Sequence, residues 1–309
     1  MKKKAVFFTF SALLLLTVAF TGILFQTRYS VSEENELVSF KTSSLNSFVL
    51  SLDQDIERGL FIAGFRALIS ADQVVSGSGE FLNDSESAIR EAMVNGTING
   101  KSVSMMNQST IGEWLSRIES EATKMGIIVN FSYVSLEINQ TNPWEVGYKA
   151  TIIYNVTDFT GTADFRREGG VETEVSIDGL KDPLYTVFTS GKIIRAINMT
   201  AYEGNYVSGV DTTNLKEHIN SLMYANSSGP SYLMRLEGNL GNSSVGIESI
   251  VRLPDLQEQG LPVYERSCVD YIYFGNDTPE IYVINNTFED WLRIDDAHLE
   301  KYRVEGVAE

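Results

Sequence analysis

Residues Ala5 to Phe25, AVFFTFSALLLLTVAFTGILF, are 21 consecutive uncharged and mainly apolar residues. As a helix rising about 1.5 Å per residue they span about 30 Å, the thickness of one bilayer core. This run constrains the chain more than any other feature, because a fully apolar helix has no stable place in water. It predicts a single transmembrane helix. A secretory signal peptide is the alternative, but its apolar region is usually about 7–15 residues, and no A-x-A cleavage site is evident. Lys2, Lys3 and Lys4 precede the run and no acidic residue occurs before Glu33. By the positive-inside rule the short N-terminal end stays in the cytoplasm, so the sequence from about residue 28 is expected outside, in a single-pass membrane protein.

The outer part has its own signature. N-x-[ST] acceptors occur at Asn83, Asn95, Asn107, Asn130, Asn139, Asn155, Asn198, Asn226, Asn242, Asn276 and Asn285. Chance placement gives roughly four, and all of these lie beyond the apolar run, so the pattern favours N-glycosylation of an exported domain. The chain has 24 Lys+Arg against 41 Asp+Glu. Setting aside the three N-terminal lysines leaves 21 basic against 41 acidic residues in the body, which repels nucleic-acid phosphate; no nucleic-acid partner is expected. With Cys268 as its single cysteine the chain forms no internal disulfide. A glycosylated exterior without disulfides points to an archaeal cell surface.

Beyond the membrane run, Leu37, Phe40, Leu45, Phe48, Leu52, Ile56 and Leu60 recur at helical spacing without proline. The run is expected to continue as an amphipathic stalk helix over residues 28–75. Its apolar stripe must bury against the chain's own head or against a neighbour, and we read it as a lateral assembly face. Gly59 and Gly64 permit close approach or are simply tolerated. The SGSGE segment at Ser76 to Glu80 predicts a hinge. Residues 76–126 read as a helical segment, with a helix around Ser85–Met93 and another whose start is marked by Thr110 and Glu113, a capping box, and whose end is Gly126. Trp114, Ile118 and Ala122 form its apolar stripe.

From Gly126 the period becomes two. Ile127, Val129, Phe131 and Tyr133 alternate, then Val134, Leu136 and Ile138 continue on the opposite parity, which predicts a bulge at Tyr133 and Val134. Val146, Tyr148, Ala150, Ile152, Tyr154 and Val156 line one face of the next strand, and the NQTNP loop makes the pair a hairpin. A third strand carries Val171, Thr173, Val175 and Ile177 after a Gly169-Gly170 turn. The rest is less periodic: a helix at Thr213–Tyr224, strands at Gly246–Leu253, Cys268–Phe274 and Ile281–Ile284, a turn at Asp182–Tyr185, and a helical turn at Ala297–Tyr302. The fold class is therefore α+β: a transmembrane helix (residues 1–27 with its cytoplasmic tip), the stalk, and an antiparallel β-rich head over residues 127–309.

The basic N-terminus, apolar segment, continuing helix and β-rich head together resemble archaeal type IV pilin-like proteins, and Lys4-Ala5 resembles their processing site. Phe10 stands where many pilins carry a Glu. The segments LDQDIERGLFIAGFRALIS, IDGLKDPLYTV, YLMRLEGNLGNSSVGIESIV, VDYIYF and LRIDDAHLEKYRV are similar to those of uncharacterised archaeal membrane-anchored surface proteins. The resemblance implies an anchored surface or minor pilin-like component and no particular activity.

Chemistry-bearing groups are sparse. Glu289, Asp290, Asp295, Asp296 and His298 offer cation ligands, but in no known metal spacing; a solvated acidic segment around a helix start is the plainer reading. Cys268 with His218 or His298 is the remaining hydrolytic pair, against a reading of Cys268 as a buried strand residue and His218 as a surface or boundary residue. No cofactor is implied. The leading expectation is a noncatalytic membrane-anchored, glycosylated surface protein with lateral partners through the stalk. The alternative is a monomeric adhesin or solute-sensing ectodomain, and a Cys268 hydrolase stands third.

Overall fold

The computed structural model describes residues 2–161, 164–284 and 291–309; within these, the side chains of residues 2–15, 25, 27–38, 133 and 134 are outside the description. One helix, α1 (Lys2–Ser78), runs 77 residues, about 115 Å at helical rise. Its two halves live in different environments. Leu16, Val18, Phe20 and Leu24 are exposed at 49–70%, whereas Leu45, Val49, Leu52, Ile56, Leu60, Ala63, Ala67, Ala71 and Val75 are buried. The buried set recurs every three or four residues, one face of a helix laid along a core. Ser39–Ser78 is the stretch of described residues long and apolar enough to cross a membrane, and more than half of its most apolar 18 residues are buried inside the protein.

That core is a sheet. Strands β3 (Ile127–Asn142), β4 (Glu145–Asp158) and β5 (Asp164–Ser176) pair antiparallel in the order β3-β4-β5. The alternation of β4 buries Val146, Tyr148, Ala150, Ile152, Tyr154 and Val156 toward α1. The register slips between Tyr133 and Ser135, where the change of parity in the sequence places a bulge. β5 corrects one expectation. Gly169 and Gly170 make no turn but pair with Ile152 and Thr151 inside the strand, because an edge strand with an open face tolerates glycine as long as its ladder continues.

Two glycines set how closely α1 approaches. A Cβ on Gly59 would sit 2.5 Å from the Trp114 ring, and one on Gly64 would sit 3.0 Å from the Tyr148 ring. The indole N–H donates to the Asp55 carbonyl (3.1 Å) and the Tyr148 hydroxyl to the Gly64 carbonyl (3.2 Å), so each aromatic ring is both packed and bonded against the helix backbone. On the flank, Asp53 accepts from Tyr154 (2.6 Å) and pairs with Arg167 (2.8 Å).

Between α1 and the sheet lie α2 (Ser85–Asn95), a small hairpin of β1 (Thr97–Ile98) and β2 (Lys101–Ser102), a single 3₁₀ turn at Ser104–Met106, and α3 (Ile111–Lys124). Asp84 caps α2, Gly96 ends it in the left-handed region, and α3 opens with the Thr110–Glu113 capping box. In the segment expected to hinge, Ser76–Ser78 still belong to α1, the Gly79 N–H donates to the Val75 carbonyl (2.9 Å) and the Glu80 N–H to the Ser78 hydroxyl (3.2 Å).

The head is β-rich only as far as Ser176. Beyond it come short helices, α4 (Pro183–Phe188), α5 (Thr213–Asn220), α6 (Tyr232–Leu236), α7 (Leu253–Glu258), α8 (Asp270–Phe274) and α9 (Asp296–Tyr302). Two ribbons run among them, β6 (Tyr224–Ser227) with β7 (Gly246–Ser249), and β8 (Ile281–Val283) with β9 (Arg293–Asp295). The expected strand at Cys268–Phe274 is therefore a helix over most of its length, since a five-residue apolar run has no period that separates the two. The expected turn at Asp182–Tyr185 is the start of α4. Asp182 caps it and Pro183 opens it, the same Asp-Pro chemistry used for a helix rather than a reversal.

Candidate functional site

The residue-level chemistry gathers in the C-terminal third, in two largely buried charge clusters, the second reaching solvent through Lys301. At the first, α6 carries Arg235, fully buried, between Asp182 at the head of α4 and Asp270 at the head of α8. Its Nη1 lies 2.6 Å from Asp182 Oδ2 and 3.0 Å from Asp270 Oδ2, and its Nη2 donates to the Ile247 carbonyl. The Tyr224 hydroxyl donates to Asp182 (2.8 Å), while Ser249 gives both its amide (3.0 Å) and hydroxyl (2.7 Å) to Asp270. Arg195, also buried, lies 4.3 Å over the Tyr185 ring and donates to Ser249 and the Ile250 carbonyl. One guanidinium thus meets two carboxylates, and the second is linked to Asp270 only through Ser249. Burial alone would disfavour the Arg235 charge, but Asp182 and Asp270 outweigh it and raise its pKa.

The second cluster surrounds Glu248 on β7. Its oxygens receive the Ser227 hydroxyl (2.5 Å), the Tyr302 hydroxyl (2.7 Å), Lys301 (2.8 Å) and His298 Nε2 (3.2 Å). His298 Nδ1 lies 2.6 Å from Asp295, which also accepts from Ser267 (2.6 Å). Burial opposes the charges here, but the His298 and Lys301 contacts prevail and hold Glu248 down at about 2. Burial likewise opposes the imidazolium, yet its hydrogen bonds and the charges of Asp295 and Glu248 lift His298 to about 9. Both ring nitrogens are thus occupied by carboxylates, and the raised pKa favours the imidazolium, which has no lone pair to offer a metal. Among the described residues no group of three or more His, Cys, Asp or Glu side chains is placed to hold a metal ion.

Of the cation ligands named from the sequence, Asp295 and His298 come together and Asp296 is exposed; Glu289 and Asp290 lie outside the described residues. The hydrolytic pair is not assembled. Cys268 is buried, its thiol pushed up to about 12 by burial, and its sulfur contacts the Trp291 carbonyl and the Arg293 amide. His298 is engaged with Asp295 and Glu248. His218 is buried rather than superficial: Nδ1 meets the Thr200 hydroxyl (3.0 Å), its ring packs edge-on to Tyr206, and burial lowers its pKa to about 4. α5 turns that face inward because Leu215, His218 and Ile219 share it.

The stripe expected to assemble laterally goes inward too. Leu45, Leu52, Ile56 and Leu60 belong to the chain's own core and Phe48 packs partly against it; Phe40 is exposed, and the Leu37 side chain is outside the description. The sheet and neighbouring helices cover most of that face, while Phe48 and Leu52 border a surface pocket of about 250 Å³ beside α3.

The sequons stand differently. Asn83, Asn95, Asn107, Asn130, Asn139, Asn155, Asn198, Asn226, Asn242 and Asn276 are all exposed, and Asn285 lies outside the described residues. Asn130 and Asn155 are direct cross-strand partners on the open face of the sheet. Several surface grooves are edged by these residues. One of about 490 Å³ holds Glu57, Glu137, Asn139, Lys149, Glu172 and Glu174, and one of about 630 Å³ holds Trp144 and Asn198.

No family model, curated protein or solved structure matches this chain. The site must be read from its own residues. The buried clusters were not legible as clusters, yet all their charged members except Arg195 fall in the segments singled out above. Asp182 lies in IDGLKDPLYTV, Arg235, Glu248 and Ser249 in YLMRLEGNLGNSSVGIESIV, Asp270 in VDYIYF, and Asp295, His298, Lys301 and Tyr302 in LRIDDAHLEKYRV. The available signal was charge inside otherwise apolar short runs.

Proposed function

We propose that the chain is a noncatalytic, membrane-anchored and N-glycosylated surface protein, held by residues 5–25 with its C-terminal body outside. The observation that carries the reading is the division of α1. One face of its distal half is buried in protein, whereas Leu16, Val18, Phe20 and Leu24 on the proximal half are exposed in a segment whose sequence is apolar on every side, a surface that suits lipid better than water. Ten exposed sequons agree with an exported body. Largely buried ion clusters and a thiol raised to about 12 suit a scaffold better than a catalyst.

A minor pilin-like or surface-assembly role, on an archaeal cell, belongs to the same proposal with its contact moved to the outer face of α1. Leu50, Phe61 and Phe65 are 57%, 42% and 40% exposed and lie within about 60° on the helical wheel. The alternative, a monomeric adhesin or solute-sensing ectodomain, is favoured by the groove of about 490 Å³ beside the sheet.

The test is alkaline extraction of membranes carrying the full chain. Retention in the pellet, and its loss for a Leu14→Arg, Ala19→Arg variant, supports the anchor. Release of the unaltered chain into the supernatant removes it. Crosslinking of the unaltered chain and of Phe61→Asp separates assembly from a monomer.

A further inference from the structure

The concave surface beside α8 has an occupant that the chain itself supplies. A groove of about 340 Å³ is lined by Phe188, Leu261, Pro262, Tyr264 and Phe274, with Asn276 on its wall. Asn276-Asp277-Thr278 is a sequon, and both Asn276 and Thr278 are exposed. The aromatic rings form an ordered platform. Phe188 and Phe274 stack with centroids 5.1 Å apart and planes 3° from parallel, and Tyr264 leans on Tyr273 at 6.2 Å. Phe188 is 41% exposed and Tyr264 49%, large apolar surfaces left open to water.

The backbone leading to the attachment point is braced. Arg266 Nη1 donates to the carbonyls of Gly275 (2.6 Å) and Tyr273 (3.2 Å), while its guanidinium lies 4.9 Å over the Tyr264 ring. A single side chain therefore ties the backbone just before Asn276 to the aromatic wall. Gly275 is held equally closely, since a Cβ there would meet the Tyr271 carbonyl at 2.7 Å.

A pyranose has one face of C–H bonds and a rim of hydroxyls. The groove has aromatic faces with Arg266 and Asn276 at their edges, the matching arrangement. We infer that this groove seats the first sugars of an N-glycan carried by Asn276, with a pyranose C–H face on the Tyr264 and Phe274 side of the platform. The inference rests on the glycoprotein reading above. Because the sugar is tethered beside the groove, its effective concentration is high, and a contact too weak to hold a free saccharide suffices.

The experiment uses the full chain from a host that glycosylates it and from one that does not. Glycopeptide mass spectrometry reads each sequon, and thermal unfolding compares the unaltered chain, Thr278→Ala, Tyr264→Ser and the double variant. Thr278→Ala removes the acceptor signal and leaves Asn276 in place. The expected result is a glycan on Asn276, a Tm lower by about 2–4 °C in Thr278→Ala from the glycosylating host only, and less than half that loss when Tyr264 is already Ser. A bare Asn276 beside other occupied sequons overturns the seat and leaves the glycoprotein reading standing. An occupied Asn276 whose removal costs the same with or without Tyr264, or costs nothing, also overturns the seat. A chain with every sequon bare overturns both readings.

Discussion

Individual side chains in the C-terminal third act mainly as tethers between short elements. Arg235 touches the starts of α4 and α8 and the β7 backbone, three pieces of chain with little secondary structure of their own. Replacing it by Met keeps the volume but strands two carboxylates in a dry interior. Arg235→Met is expected to lower unfolding stability by about 3–5 kcal/mol, read from urea denaturation of the solubilised chain. The two histidines give stability opposite dependences on pH. His298 has a folded pKa raised to about 9, so its contribution is complete below about 6.5 and is lost as pH rises toward 9. His218 has a folded pKa lowered to about 4, so its contribution is complete above about 6.5 and is lost as pH falls toward 4. Stability measured across pH 4–10 is expected to peak near neutrality. His298→Gln should flatten the alkaline limb, worth about 3 kcal/mol at full extent. An unchanged alkaline limb would show that His298 is not held as an imidazolium.

At the level of elements, the fit between α1 and its neighbours depends on the missing side chains of two glycines. Gly64→Ala pushes a methyl toward the Tyr148 ring, and Gly59→Ala pushes one into Trp114. Each is expected to cost about 1–3 kcal/mol despite the better helix propensity of alanine, with Gly59→Ala the worse because its clash is closer. Equal or greater stability of either variant, measured by the same denaturation, would count against the packing described. Thr110→Ala should cost about 1 kcal/mol through loss of the capping box. These are also the parts that sequence reading reached. The capping box, the β3–β4 hairpin and the parity change at Tyr133 depend on local chemistry over a few residues, and local chemistry is visible in one dimension. The helices after Ser176 are five to eight residues long, too short for a period to show. Asp270 is a helix start because Arg235 waits for it from another part of the chain, a relation no local pattern carries. His218 was misplaced for the same reason: its inward face becomes apparent only when Tyr206 and Tyr302 arrive beside it.

At the scale of the whole molecule, the helical period from Leu45 to Leu60 was legible, while the identity of what covers it was not. An apolar stripe states that something must lie on it, and here the chain's own sheet does. The surplus of acid over base is a surface property, whereas the charges that matter for the C-terminal architecture are few, paired and hidden. Raising ionic strength is therefore expected to raise the urea midpoint modestly, because salt screens repulsion among the surplus surface acids while the buried pairs are poorly screened. A midpoint that falls steeply with salt would instead place the stabilising charge on the surface.

The uninterrupted course of α1 has a mechanical consequence. About 20 residues, roughly 30 Å of helix, separate Phe25 from Leu45, where burial begins, and no proline or glycine occurs between them. On the anchoring proposed above, a body mounted in this way would stand off the bilayer at a set height with no helix-breaking residue in between to serve as a joint. It could turn on its axis, and any wider movement would carry residues 5–25 with it. Tension drawn through the anchor would arrive along the flank of β4 and β5, pulling the row from Leu45 to Val75 lengthwise across the sheet. Contacts stretched in that direction must slide together before any one is free.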